Sequence, residues 1–190
     1  MKHALTLALA LLVSGHAAAS AKTYSIDSSH TNVIATWDHN GYSKPSAAFS
    51  QVAGAIRYDE SAIEQSSVDV TLPLSGMTSF VPALDDHLRG EHFFDAAKFP
   101  SITFVSTSVK RAGGSALEIV GMLTIKGIAK EVVLHATLNK AGVSKRSGAA
   151  LLGFDATTTI KRTDFGMGMA VPAVSDEIVI RITTEASAAQ

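Results

Sequence analysis

A hydrophobic period of two runs through most of this chain and restricts it to folds built of strands. Val68, Val70, Leu72 and Leu74 alternate with their neighbours, and Leu117, Ile119, Leu123 and Ile125 do the same. Val132, Leu134, Ala136 and Leu138 follow, then Leu152, Phe154, Ala156, Thr158 and Ile160, and last Ile178, Ile180 and Ile182. Side chains on a strand point to opposite faces in turn, so each run predicts a strand with one buried face. Residues 24–27 with 30–38 predict a strand pair or one bent strand. Residues 45–59 predict a long strand of small residues in which Gly54 marks a bulge or bend. Residues 101–110 add another strand, ending at Gly113-Gly114, and Lys126-Gly127 has the character of a two-residue hairpin turn. A polar, glycine-bearing loop is expected over residues 141–148. About eight strands with short connections favour an antiparallel meander. Such a meander can close into a barrel around one small ligand, and a two-sheet sandwich carries the same local signature.

One segment, residues 84–104, breaks the alternation. Leu84 and Leu88 stand four apart, as do Asp85 and Arg89 in acid-then-base order, both helical spacings. Pro82 suits a first helical turn, Gly90 ends the helix after about two turns, and Pro100 returns the chain to strand. The prediction is a short helical lid segment over about residues 82–97, carrying Phe93 and Phe94, closing something hollow. Slender residues at Ala35, Ala53, Gly54, Ala136 and Ala156 predict interior volume that side chains leave unfilled. Bulky residues gather instead in the lid and at residues 165–169.

The first residues are set apart from the fold. Lys2, an apolar core at residues 5–13 and Ala19-Ser20-Ala21 have the form of a signal peptide, residues 1–21, with cleavage near Ala21. One domain then spans residues 22–190. No later run is long enough to span a bilayer as a helix. Removing the leader takes away only Lys2 among the charged residues, leaving 15 basic against 17 acidic, so no electrostatic case exists for nucleic acid. The absence of Cys rules out a disulfide scaffold, thiol catalysis and thiolate metal sites. Thr71, Thr103, Thr107, Thr124, Thr157 and Thr159 suit a solvated outer face. One Trp and three Tyr are too few for the girdles of an outer-membrane barrel.

The chemistry-bearing residues favour binding over catalysis. Five histidines follow the leader, at positions 30, 39, 87, 92 and 135, with no HExxH or comparable spacing. No GxSxG elbow is present. A metal-assisted or other hydrolase using His87, His92 and nearby carboxylates stands as the alternative function. The aromatic and Met residues say more: Phe80, Phe93, Phe94 and Phe99 flank the lid, and Phe165-Gly166-Met167-Gly168-Met169 is a soft apolar loop set among glycines. They fit either a ligand lining or a packed barrel end.

Four blocks, taken together, carry a family resemblance. They are Asp27-Ser28-Ser29-His30-Thr31; Asp86-His87-Leu88-Arg89 with Phe93-Phe94-Asp95 and Phe99-Pro100-Ser101-Ile102-Thr103-Phe104; Gly121-Met122-Leu123-Thr124-Ile125-Lys126-Gly127; and Arg162-Thr163-Asp164-Phe165-Gly166 with Val174-Ser175-Asp176-Glu177. In order and spacing they resemble the YceI-like family of bacterial periplasmic proteins. The resemblance implies an all-β, eight-stranded antiparallel, lipocalin-like barrel whose interior holds a long isoprenoid, polyprenyl or quinone-type. It further implies a periplasmic carrier with no catalysis, no metal and no required cofactor, and it admits a homodimer. Departures are Ala47-Ala48-Phe49 in place of Gly-x-Phe, and Ala83-Leu84 where a more basic approach is common. Candidate ligand-binding residues are Trp37, Phe80, Leu88, Phe93, Phe94, Phe104, Phe154, Phe165, Met167 and Met169.

Overall fold

The computed structural model describes residues 21–189. The expected leader therefore lies, but for Ala21, outside the described residues. Ten strands run in chain order: β1 Lys22–Thr36, β2 Ser46–Phe49, β3 Ala53–Tyr58, β4 Ser67–Pro73, β5 Met77–Thr78, β6 Ser101–Gly113, β7 Ala116–Ile125, β8 Ile128–Val143, β9 Ala150–Lys161 and β10 Glu177–Ala188. Among the described residues the one α-helix, α1, spans Pro82–Arg89. Eight of the strands pair antiparallel in the ring β10-β9-β8-β7-β6-β4-β3-β1, which β1 closes against β10, Tyr24 facing Ala188 and Thr36 facing Val179. The architecture is a closed barrel, and the sandwich reading falls. Closure leaves no long unpaired edge, which is what a chain of alternating strands needs to remain unaggregated.

The first strand is the single bent one. Its inward residues are Tyr24 and Ile26 before the bend but Thr31, Val33 and Ala35 after it, so the phase changes where the β10 register shifts between Asp27 and Asn32. Its partner on the other side changes too. Lys22–Ser25 pair with β3, and Val33–Thr36 pair with β2. The long strand expected over residues 45–59 is thus two strands. Its break lies at Gln51, with φ 60°, rather than at Gly54. The Ser50 N–H and hydroxyl both donate to the Gly76 carbonyl, at 3.0 and 2.9 Å, where the partner strand is interrupted by a turn at Leu74–Gly76. Gly54 matters differently: at φ 144°, a Cβ there would lie 2.1 Å from the Asp69 carbonyl oxygen, so only glycine lets β3 and β4 approach. The Lys126-Gly127 turn has positive φ at both residues, 52° and 74°, the twist a tight hairpin demands.

Inside the bend, the Asp27 carboxylate accepts the Ser29 N–H at 2.9 Å and the Ser29 hydroxyl at 2.5 Å, and sits 2.8 Å from His30 Nδ1. The Ser29 and His30 hydrogen bonds hold Asp27 at about 2, and Asp27 in turn raises His30. A depressed carboxylate stabilises the fold above its unfolded pKa, near 4, and that contribution fades as pH falls towards about 2. A raised imidazole stabilises below about pH 6.5 and that contribution is lost as pH climbs through its folded value. The pair is therefore strongest between about pH 4 and 6. In an NMR titration His30 should show a midpoint above that of an ordinary imidazole, and Asp27→Asn should bring it back down. An unchanged midpoint in the variant would refute the pairing.

The helix starts and stops as its sequence dictates, with Pro82 in its first turn and Gly90 as its cap. Asp85 and Arg89, however, do not pair with each other. Asp85 accepts the N–H and hydroxyl of Ser79, both at 2.5 Å, which holds its carboxyl below the usual range. Arg89 donates to the carbonyls of Leu74, at 3.2 Å, and Met77. Their face of the helix meets the broken β4–β5 backbone, whose free polar groups are better partners than an exposed ion pair. Phe93 and Phe94 are not on the helix either. They follow it in a run of turns, with the Phe94 N–H bonded back to the Leu88 carbonyl at 3.0 Å.

Candidate ligand cavity

The inward faces of the ring do not fill the axis. A deep lobe of about 150 Å³ lies towards the end of β3, walled by Ile56, Tyr58, Phe104, Leu117, Ala136, Phe154 and Ala156 among others. A larger lobe of about 440 Å³ lies at the helix end, with Val33, Leu123 and Ile180 lining both. Those three residues stand between the two lobes, which follow one another along the barrel interior. An engineered apolar cavity of about 150 Å³ stays dry and takes up benzene, so the deep lobe is as large as a cavity known to hold a small apolar molecule. Ala35, Ala136 and Ala156 line the space as expected. Ala53 and Gly54 do not: past the phase change at Gln51, Ala53 faces outward, and Gly54, in phase with Val52 and Ile56, has no side chain to add to the wall.

The large lobe is capped from two sides. Leu84 and Leu88 come down from α1, and Phe93 and Phe94 from the turns behind it. Phe94 meets Phe49 of β2 edge-on, with ring centroids 6.1 Å apart, and Phe93 lies over the His87 ring at 4.9 Å. The opposite side is residues 166–175, which bring Met167, Met169, Ala170 and Val174 to the wall.

That second cap is built around Arg162, which the alternation of β9 (Thr158, Ile160, Arg162) turns inward and which is only 4% exposed. Its Nε donates to the Ser175 carbonyl at 2.8 Å, one terminal nitrogen to the Met167 carbonyl and to the Met169 carbonyl at 2.8 Å, and the other to the Val174 carbonyl at 2.8 Å. Burial lowers the guanidinium pKa, and Asp176 opposes the shift. Asp176 itself accepts the Thr163 N–H at 2.9 Å and its hydroxyl at 2.8 Å, which holds the carboxyl low. The two halves of the C-terminal sequence block are thus one interlocked structure.

Of the candidate residues, Trp37, Leu88, Phe93, Phe94, Met167 and Met169 line the large lobe, and Phe104 and Phe154 line the deep one. Phe80 and Phe165 lie elsewhere. Phe80 occupies a turn with φ 66° that carries its ring into solvent, 75% exposed, and Phe165 is 1% exposed within the packed core. His87 lines the mouth, whereas His92 is exposed outside it. Among the described residues no three His, Asp or Glu side chains gather closely enough to share a metal ion. Sequence reasoning passed over His39 and Arg162 as cavity residues. Arg162 carried a signal, since it continues the inward period of β9.

The model of the YceI-like domain matches residues 24–186, nearly all that the structure describes. The chain belongs to the YceI-like family. A relative from Pseudomonas putida, a UPF0312 protein, is 36% identical over 166 residues, covering 86% of this chain and 85% of the relative. Among solved structures, BcnA of Burkholderia cenocepacia aligns with a TM-score of 0.77 at 26% identity, over 84% of this chain and 98% of BcnA. A polyisoprenoid-binding domain from Saccharophagus degradans aligns at 0.66 with 11% identity, over 87% and 98%, a likeness of fold alone. The solved neighbours share the barrel found here, and the four blocks of this chain that carry the resemblance fall on the bend of β1, the lid, the β7–β8 hairpin and the Arg162 cap.

Proposed function

We propose that this protein is an exported, periplasmic carrier that holds a long-chain isoprenoid, polyprenyl or quinone-type, in its barrel and performs no catalysis. The observation that carries the reading is the axial space itself: two neighbouring lobes that share Val33, Leu123 and Ile180 in their walls, with no charged residue lining the deep one. Each CH₂ moved from water into such a lining is worth roughly 0.8 kcal/mol, so a five-carbon isoprene unit is worth about 3–4 kcal/mol before ordering costs. A chain of several units needs only length and dryness to bind well. The Saccharophagus domain, with the same fold, is named for polyisoprenoid binding, and that ligand class suits these walls. A carrier is useful where water separates membranes, because a free polyprenyl lipid does not cross it.

The test is one preparation. Protein from an osmotic-shock fraction should begin at Lys22, and its organic extract should contain, by mass spectrometry, an isoprenoid at near one per chain. Ala156→Phe, which fills the deep lobe, should shift the extracted population to shorter chains. Intact Met1 in that fraction would remove the export reading. An empty extract, or one of unrelated polar metabolites, would remove the carrier reading.

A further inference from the structure

We infer that the helix end of the barrel docks on the surface of a lipid bilayer, with the mouth of the large lobe held against it. This rests on the lipid-binding reading above and names the surface at which the ligand is exchanged. Two apolar runs stand in solvent at this end. Phe80-Val81-Pro82-Ala83 leads into α1, and Met169-Ala170-Val171-Pro172-Ala173 belongs to the opposite cap; all nine residues are exposed and none is charged. Consecutive exposed apolar residues are a fault in a soluble surface unless they serve a contact. Tyr42, 91% exposed, adds a third tip. Its loop is tied to the second run, the Asn40 N–H donating to the Ala173 carbonyl at 2.8 Å.

The three tips share one end of the barrel. β5 pairs antiparallel with β2, Thr78 facing Ala48, so it points towards Ser46 and Thr36, the residue before Trp37 in the wall of the large lobe. Phe80 and Val81 continue in that direction. Both runs also pass into the wall: Leu84 follows the first, and Met169 and Ala170 of the second are exposed and lining at once. Among the described residues, the large apolar side chains exposed outside strands are Tyr42, Phe80, Val81, Met169 and Val171, all at this end. The backbone holds the runs out. Each contains a non-glycine residue at positive φ, Phe80 at 66° and Ala170 at 63°, a conformation such residues seldom adopt without a use for it. The Phe80 N–H is pinned to the Thr78 hydroxyl at 3.0 Å.

A bilayer fits this rim better than a protein does. A stable protein contact takes about 800 Å² and about 20–30 residues on each side, and separate tips around an opening leave its centre unfilled. A fluid apolar surface needs no matching shape. Each tip inserts on its own, and tyrosine suits the head-group level. A polyprenyl chain then passes between two apolar phases without crossing water.

Flotation of the purified protein with neutral phosphatidylcholine vesicles is the test. The protein should rise with the vesicles, and salt raised from about 0.1 to about 1 M should not weaken the association, because screening acts on charges. The double variant Phe80→Asn with Val171→Ser should lower the partition coefficient about tenfold or more, the scale of withdrawing two apolar side chains from lipid. Asparagine accepts the positive φ at position 80. Neither residue lines a lobe, so the lipid extracted per chain should match that of the parent. Tyr42→Ser repeats the test on the third tip. Val143→Ser, at a site 68% exposed at the far end of β8, should change nothing. No flotation of a protein that carries its lipid, association unmoved in both rim variants, or association lost at high salt would overturn the docking inference and leave lipid binding standing. A dimer in sedimentation equilibrium that the double variant dissociates would make the rim a contact between copies and overturn it as well. An empty organic extract would overturn the lipid reading and this inference with it.

Discussion

Protein stripped of its bound lipid is expected to melt about 10 °C below the loaded form. The cause is the volume inside the ring. Core truncations lose about 24 cal/mol per Å³ of cavity, so an empty lobe of about 440 Å³ corresponds to roughly 10 kcal/mol. That is as large as the whole stability of a typical domain, about 5–15 kcal/mol. The chain folds around the space because the closed hydrogen-bond ring does not depend on a filled centre, so only part of this figure is realised. A ligand present at a thousand times its dissociation constant adds about 4 kcal/mol, and each kcal/mol moves the midpoint of a domain this size by about 2–4 °C. Paired melts of the loaded and the delipidated protein, followed by lipid re-addition, measure it. Equal midpoints, with mass spectrometry showing the lipid gone, would mean that the space contributes nothing to folding and holds no resident ligand.

The alternation showed where strands run, because burial of one face is a local property of sequence. It could not show where they break. Ser50 and Gly76 meet across two strands, and neither residue signals the contact alone. Closure was equally hidden, since β1 meets β10 across most of the chain. Within the site, Met167 and Met169 were legible as soft residues in a glycine-bearing loop, and both reach the wall. Phe80 shows the limit of that logic: an aromatic beside the lid reads as lining until a positive φ turns it outward. Asp85 and Arg89 gave the right helix through the wrong contact. Their spacing reports the face they share, whereas their partners belong to the strands beneath. Arg162 was the costly omission. A charged residue invites an outside placement, yet its position two beyond Ile160 keeps the inward phase, and the fold supplies carbonyls in place of a carboxylate.

Replacing Arg162 with Met should unlatch residues 166–175 and release the lipid faster, with a larger effect than any single change in the lining. The reason is arithmetic on orphaned groups. Four carbonyls converge on the guanidinium, and leaving a buried acceptor without a partner costs about 1–3 kcal/mol. Some of the four sit in a loop that reaches water and will find it there, so a net loss of about 3 kcal/mol and a fall in midpoint of about 6–12 °C are expected. Methionine keeps the stem's apolar bulk, so the loss reports the hydrogen bonds rather than a hole. Lysine keeps the charge but not the planar fork, cannot reach the carbonyls of Met167, Val174 and Ser175 together, and should rescue only in part. Lys161→Met, one residue away and exposed, should change neither stability nor lipid retention. Hydrogen exchange localises the effect: amides of residues 166–175 should lose protection in Arg162→Met while those of the β6–β7 pair keep theirs. Uniform loss across the barrel would mean that Arg162 supports the fold at large, and unchanged exchange at 166–175 would mean that the cap is held by its own apolar packing.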